Sequence, residues 1–284
     1  MGESEATMAL KRNENTFITK IDGFDNRGSG KASIRRENKH GKVKKEKVSI
    51  PYTLPGEEVK ATLVPPYRKK IARVEELIYQ DPNRVKAECP HFGKCGGCTW
   101  QHISYEGQLR YKTLFVKALI KAQGFDESLV ADTIPAESEW GYRNKMEFTF
   151  GPDGSLGLHE LNHYNKIIPL ETCLIASDPM VEVTMEVARW AKRHELPGYN
   201  KESHEGLLRH LLVRHSRSTD EMMVVLFATE GAVPEVEELT TIIAEKYPQV
   251  KSLQWVINRQ LSDSVQADEI ELLLGRDFIY DTLA

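Results

Sequence analysis

Short runs of alternating apolar and polar residues fill the first eighty positions, and longer periodic stretches follow. Phe17-Ile18-Thr19-Lys20-Ile21 alternates, and 23–30 is a glycine-rich turn region. Lys47-Val48-Ser49-Ile50 and 58–64 read as strands around Leu54-Pro55-Gly56, and 71–78 closes the set. Several short strands within roughly 60 residues predict a small OB-like β-barrel over 15–78, behind a polar, disordered tail at 1–14. Beyond it Ser104 caps a helix to about Gln123, ended by Gly124, with Tyr111, Leu114, Phe115, Ala118 and Leu119 as its apolar stripe. A strand at 145–150, a turn at 151–154 and a strand leading to Cys173 come next. Asp178-Pro179 opens a second helix on Met180, Val183, Val187 and Trp190. Strands at 207–215 and 221–229, a helix at 234–247, and strands near 252–258 and 269–274 complete an α+β region. The fold class expected is therefore α+β: the barrel, a cysteine-rich loop at 79–104, and a mixed α/β central domain over 105–284.

The 284 residues allow two domains or three, and no apolar run approaches the ~18 residues of a spanning helix. The start lacks a signal peptide's basic and apolar regions, and Ala6 stands where a myristoylation motif wants Ser or Thr. These features point to a cytoplasmic protein with no membrane partner, expected as a monomer. The net charge of -4 conceals an asymmetry: residues 1–80 hold 17 Lys and Arg against 11 Asp and Glu, residues 178–284 hold 11 against 19. A basic front suits a polyanion, and equally a solvated surface. Arg35, Arg36, Lys39, Lys42, Lys44, Lys45 and Lys47 read as a flexible basic loop between barrel strands. Gly28-Ser29-Gly30-Lys31-Ala32 imitates a phosphate loop, yet Asp25 and Ala32 stand where Gly and Ser or Thr are needed, so it reads as a turn.

The cysteines carry the sharpest signal. Cys89, Cys95 and Cys98 form C-x5-C-G-G-C, and Cys173 lies 75 residues on. Three thiolates within ten residues can converge on one centre, with Gly96-Gly97 letting the backbone wrap it. Zinc ribbons pair two C-x2-C knuckles and this chain has one, so the spacing fits a [4Fe-4S] cluster better than zinc, with zinc or unrelated buried thiols as alternatives. His91 and His102 flank the ligands and are expected not to bind metal.

Taken in order, Leu54-Pro55-Gly56-Glu57, the segment Cys89 to His102, Tyr105-x2-Gln108-Leu109-x2-Lys112, Gly141-Tyr142-Arg143-Asn144-Lys145, Cys173, and 206–214 resemble the iron–sulfur RNA (uracil-5-)-methyltransferases. The resemblance covers nearly everything from residue 16. It implies an N-terminal TRAM domain, a [4Fe-4S] cluster on Cys89, Cys95, Cys98 and Cys173, and a central domain that grips rRNA or tRNA. In that family a Rossmann-like C-terminal domain binds S-adenosylmethionine and does the chemistry. Adding a nucleophile to C6 of uracil requires a cysteine thiolate, and all four cysteines are assigned to the cluster. No strand–Gly-x-Gly–helix unit follows Thr229. The chain is therefore expected to be the truncated, RNA-binding and catalytically inactive front portion of such an enzyme, its Rossmann-like domain absent. The alternative is a stand-alone RNA-binding protein with an iron–sulfur or zinc centre. RNA contacts are expected from Arg35, Arg36, Lys44, Lys45, Arg143, Lys145, Arg209, His210 and Arg214, each with a surface salt bridge as its competing reading.

Overall fold

A computed structural model describes residues 9–229, 235–262 and 265–282. The chain divides into two compact units: residues up to Glu88 with Cys98–Pro135, and Cys89–Gly97 with the residues from Ala136 on.

In the first unit six strands make two three-stranded antiparallel sheets. Strands β1 (Thr16–Lys20), β5 (Glu58–Leu63) and β6 (Ala72–Tyr79) form one, and β2 (Gly23–Phe24), β3 (Gly30–Glu37) and β4 (Val43–Ile50) the other. Alternation sets the inward face: Phe17, Ala32, Ile34, Val48, Ile50, Val59, Ala61 and Leu63 share one buried core. The basic segment expected as a flexible loop is a hairpin, with Arg35 and Arg36 on β3 paired to Lys45 and Lys44 on β4. Of the expected tail, residues 1–8 lie outside the described residues, while Leu10 bridges Arg36.

Glu57 fixes the Leu54-Pro55-Gly56-Glu57 corner. Its fully buried carboxylate accepts from Arg84 Nε at 2.6 Å, Arg84 Nη2 at 2.7 Å and the Leu54 amide at 2.8 Å. Trp100 stacks on Phe24 at 4.8 Å and donates its indole N–H to the Gly28 carbonyl at 2.7 Å. Gly28 has φ +77°, and a Cβ there would lie 2.8 Å from that indole nitrogen, so the turn admits only glycine. Helix α1 (Tyr105–Ala122) starts where Ser104 accepts from the Gly107 amide. Its stripe does not become core: Tyr111 is buried, while Leu114, Phe115 and Leu119 remain exposed among the described residues.

In the second unit the strands expected as hairpins and α-β units of a mixed sheet lie in one sheet. Strands β7 (Lys145–Phe150), β8 (Leu156–Glu160), β9 (His163–Pro169), β10 (Leu208–Ser216), β11 (Glu221–Ala228), β12 (Val250–Ile257) and β13 (Glu269–Gly275) form one mixed sheet, ordered β13-β12-β11-β10-β7-β8-β9. Its β11–β12 pair is parallel, joined through helix α3 (Val236–Lys246). That is a β-α-β crossover, the unit from which Rossmann-like sheets are built. Helix α2 (Asp178–Arg193) begins after Ser177 and lies beside α3: the Trp190 indole N–H donates to the Glu235 carbonyl, and His194 meets Glu238 at 2.7 Å. The sheet's two faces differ. Phe148, Leu211, Val213, Val224 and Leu226 are fully buried, whereas Lys145, Leu212, Arg214 and Met223, on the other face, stay part-exposed or exposed.

Candidate RNA-binding faces and cysteine loop

The segment Cys89–Gly97 is knitted into the second unit by its backbone. The Lys94 and Cys95 amides donate to the His91 carbonyl, the Gly96 amide to the His159 carbonyl at 3.1 Å, and the Leu161 amide to the Lys94 carbonyl at 2.7 Å. The His91 ring supplies a further tie, its Nε2 accepting from the Glu171 amide at 3.2 Å, two residues before Cys173. An accepting Nε2 leaves the ring proton on Nδ1 and makes this histidine a clamp between the loop and the Cys173 segment.

Burial pushes the Cys95 and Cys173 thiols above the ordinary thiol range. The Gly97 amide opposes this at Cys95, while neighbouring Cys173 and Cys89 add to it. At Cys173 the Ala176 and Ile175 amides and the Arg143 charge oppose it, and Cys89 adds to it. Cys89, Cys95 and Cys173 therefore lie within electrostatic reach of one another. Cys98 belongs to the first unit, three residues along the chain from Cys95. Among the described residues no three His, Cys, Asp or Glu side chains converge as a single metal ion requires. A four-iron cluster takes each thiolate at a different iron, so its ligands stand further apart than those of one ion.

The first unit presents a cationic strand face. Lys31, Arg35, Lys45 and Lys47 alternate outward on the β3–β4 hairpin, and Arg35 stands directly opposite Lys45. Among the described residues none of the four forms an ion pair. Like charges directly opposite destabilise a hairpin, and a polyanion laid across them relieves that cost. Arg36 and Lys44 form a second like-charged pair on the other face, where the Arg36 guanidinium is held by the Arg12 carbonyl at 2.8 Å and Asn15 Oδ1 at 2.9 Å.

In the second unit Lys145 and Arg214 are cross-strand partners, with Lys145 also meeting Glu147 at 2.5 Å. Arg143 precedes β7, is exposed, and pairs through its backbone with the Ile175–Ala176 segment beside Cys173. Arg209 and His210 sit elsewhere than on a surface. Arg209 is 2% exposed, its guanidinium donating to the carbonyls of Asn258, Gln260 and Ser262 and covering the Tyr199 ring at 4.2 Å. His210 is buried, its Nδ1 3.3 Å from Thr149 Oγ1. Arg209 is the extra residue of a register shift between Leu208 and His210, which re-aims it away from strand alternation.

No protein-family model matches the chain. It is 35% identical over 239 residues to an uncharacterised RNA methyltransferase of Halalkalibacterium halodurans, covering 82% of this chain and 52% of that protein. An uncharacterised RNA methyltransferase of Staphylococcus epidermidis is 32% identical over 265 residues, covering 90% and 58%. The chain is a relative of the RNA methyltransferases. It spans about half the length of these relatives. Among solved structures, the Pyrococcus abyssi tRNA (uracil-54, C5)-methyltransferase in complex with S-adenosyl-L-homocysteine superposes with a TM-score of 0.66 at 23% identity. The superposition covers 94% of this chain and 57% of that one.

That likeness, one of fold, corrects the expectation of a non-catalytic front portion whose Rossmann-like domain is absent. Ninety-four percent of the chain lies on the fold of a methyltransferase that holds a cofactor product. The expected inactivity also rested on a missing Gly-x-Gly turn, which is one route to cofactor binding among several. Among the described residues no helix is long and apolar enough to cross a membrane.

Proposed function

We propose that this protein is an S-adenosylmethionine-dependent RNA methyltransferase that acts on rRNA or tRNA. The observation that carries the reading is the 35% identity over 239 residues to an RNA methyltransferase. The cationic hairpin gives that reading a physical basis. Residues 15–78 act as a TRAM-type RNA-binding module, and Arg35, Lys44 and Lys45 meet phosphates there. Arg143, Lys145 and Arg214 form a second phosphate-binding set on the central domain, 105–284, while Arg36, Arg209 and His210 position the chain around these contacts. Phosphate contacts of this kind fix register and carry no sequence information, so the target nucleotide is chosen by other groups.

Cys89, Cys95, Cys98 and Cys173 would hold a [4Fe-4S] cluster, supported by their spacing and by the mutual influence of the thiols of Cys89, Cys95 and Cys173. Methyl transfer from S-adenosylmethionine to uracil needs no net electron flow, so the cluster's role in this reading is to order the loop. The test uses native protein isolated without air from its source cells, S-adenosylmethionine labelled in the methyl group, and unmodified rRNA and tRNA. Label recovered in a nucleoside of the rRNA or tRNA supports the assignment. No transfer by protein that binds the RNA overturns it.

A further inference from the structure

A cavity of about 210 Å³ opens at the end of β7 in the second unit, between the sheet and the loop that follows α2. Thr149, Ile167, Tyr199, Asn165 and Asn200 contribute to its lining. Strand register puts Thr149, His210, Lys145 and Arg214 on the same, less covered face of the sheet. Thr149 and Lys145 are four residues apart, roughly 13 Å at the strand rise of ~3.3 Å per residue.

The cavity is held in shape from several sides. Thr149 Oγ1 lies 3.2 Å from His159 Nε2 and 3.3 Å from His210 Nδ1. A hydroxyl has one proton to give, so at least one of these ring nitrogens donates to it, and the three groups fix one another. Tyr199 is held by the Arg209 guanidinium against its ring and by His204 Nδ1, 2.9 Å from its hydroxyl. The Asn200 Oδ1 accepts from the Glu202 and Ser203 amides, which shapes the loop. At Gly198 a Cβ would stand 1.9 Å from the Gly151 carbonyl oxygen, so the loop closes on the β7–β8 turn only with glycine there.

We propose that this cavity receives one unpaired base of single-stranded RNA, a position separate from the nucleotide that is methylated. The inference rests on the RNA-binding reading above. Its size is below the ~300–1,000 Å³ of drug-sized clefts and suits a single ring system. Asn165 carries an amide with a donor and an acceptor, and Asn200 an amide whose nitrogen can donate, suiting the mixed edge of an unpaired base, and the apolar and aromatic wall suits its faces. Lys145 and Arg214, about two strand-turns of side chains away on the same face, suit phosphates of neighbouring nucleotides.

The experiment measures binding of the full chain to two labelled ten-nucleotide strands of equal charge, oligouridine and a strand in which every base is replaced by hydrogen. Oligoadenosine repeats the comparison with a larger base. The wild-type protein should bind the better base-bearing strand about tenfold more tightly than the abasic one, as for one held base. Asn165→Trp adds bulk at an exposed rim position and should bring that ratio close to one while leaving the salt dependence unchanged. Thr149→Val, which keeps volume and removes the hydroxyl, should lower the ratio by a factor of several. A wild-type ratio near one overturns the cavity assignment and leaves phosphate binding standing. A tenfold ratio unmoved by both substitutions overturns it as well. Failure of either strand to bind in a salt-dependent way removes the RNA-binding reading and this inference together.

Discussion

Arg209 shows how far a single residue can sit from the role its neighbourhood suggests. Within a basic run it reads as an RNA contact, yet three carbonyls and an aromatic ring hold it inside the protein. Arg209→Ala should cost at least ~2 kcal/mol of stability, the range for hydrogen bonds to a charged group, whereas exposed Arg214→Ala should leave the melting temperature unchanged. Equal effects of the two in thermal unfolding would contradict the assignment. Glu57 is the acidic counterpart: Glu57→Ala strands the Arg84 charge and should cost about 3 kcal/mol, measured by urea unfolding. His102 adds a pH dependence. Burial, with the Arg84 charge adding to it, lowers its pKa to about 4. The unfolded chain therefore takes up a proton between pH ~6.5 and 4 that the folded chain refuses, so stability is full above that window and falls as pH drops through it. His102→Gln should flatten that slope, and an unchanged slope would remove His102 as its source.

At the scale of elements, the strands were legible because alternation is a local property, and the cysteine loop because its spacing is. The hairpin β3–β4 was legible only at 47–50, since the run of lysines and arginines before it carries no apolar alternation to announce a strand. Its pairing comes from Ile34 and Val48 inside and from the turn at 38–42. The stripe of α1 was legible as a stripe, but nothing in its period says whether a stripe is covered, and Leu114, Phe115 and Leu119 are exposed. Arg209 was lost to a bulge, which leaves it the extra residue of its strand while the pairing from His210 to Ser216 runs on residue by residue. The cysteine loop makes a prediction of its own. Cys95→Ser should lose brown colour and folding stability together, and a colourless variant as stable as the parent would contradict the ordering role of the cluster. His91→Ala, which frees the Glu171 amide, should weaken iron retention with all four cysteines intact.

For the molecule as a whole, the parallel β11–β12 pair and the seven-strand order were beyond the sequence, because a crossover and two hairpins produce the same string of strands and helices as separate units do. The motifs from Leu54 to Arg214 nevertheless pointed to the RNA methyltransferases, and the likeness at 35% identity agrees with that direction. What the two units share is like-charged cross-strand pairs: Arg35 with Lys45, and Lys145 with Arg214, the latter pair with Glu147 beside Lys145. The most direct test is the affinity of the full chain for a single-stranded RNA as a function of salt, compared with a variant carrying Arg35, Lys45, Lys145 and Arg214 all replaced by alanine. Each phosphate contact contributes about 0.7 to the slope of log affinity against log salt, so the variant should bind more weakly with a slope shallower by roughly 3. A variant with the parent's affinity and slope would show that these faces do not carry the RNA.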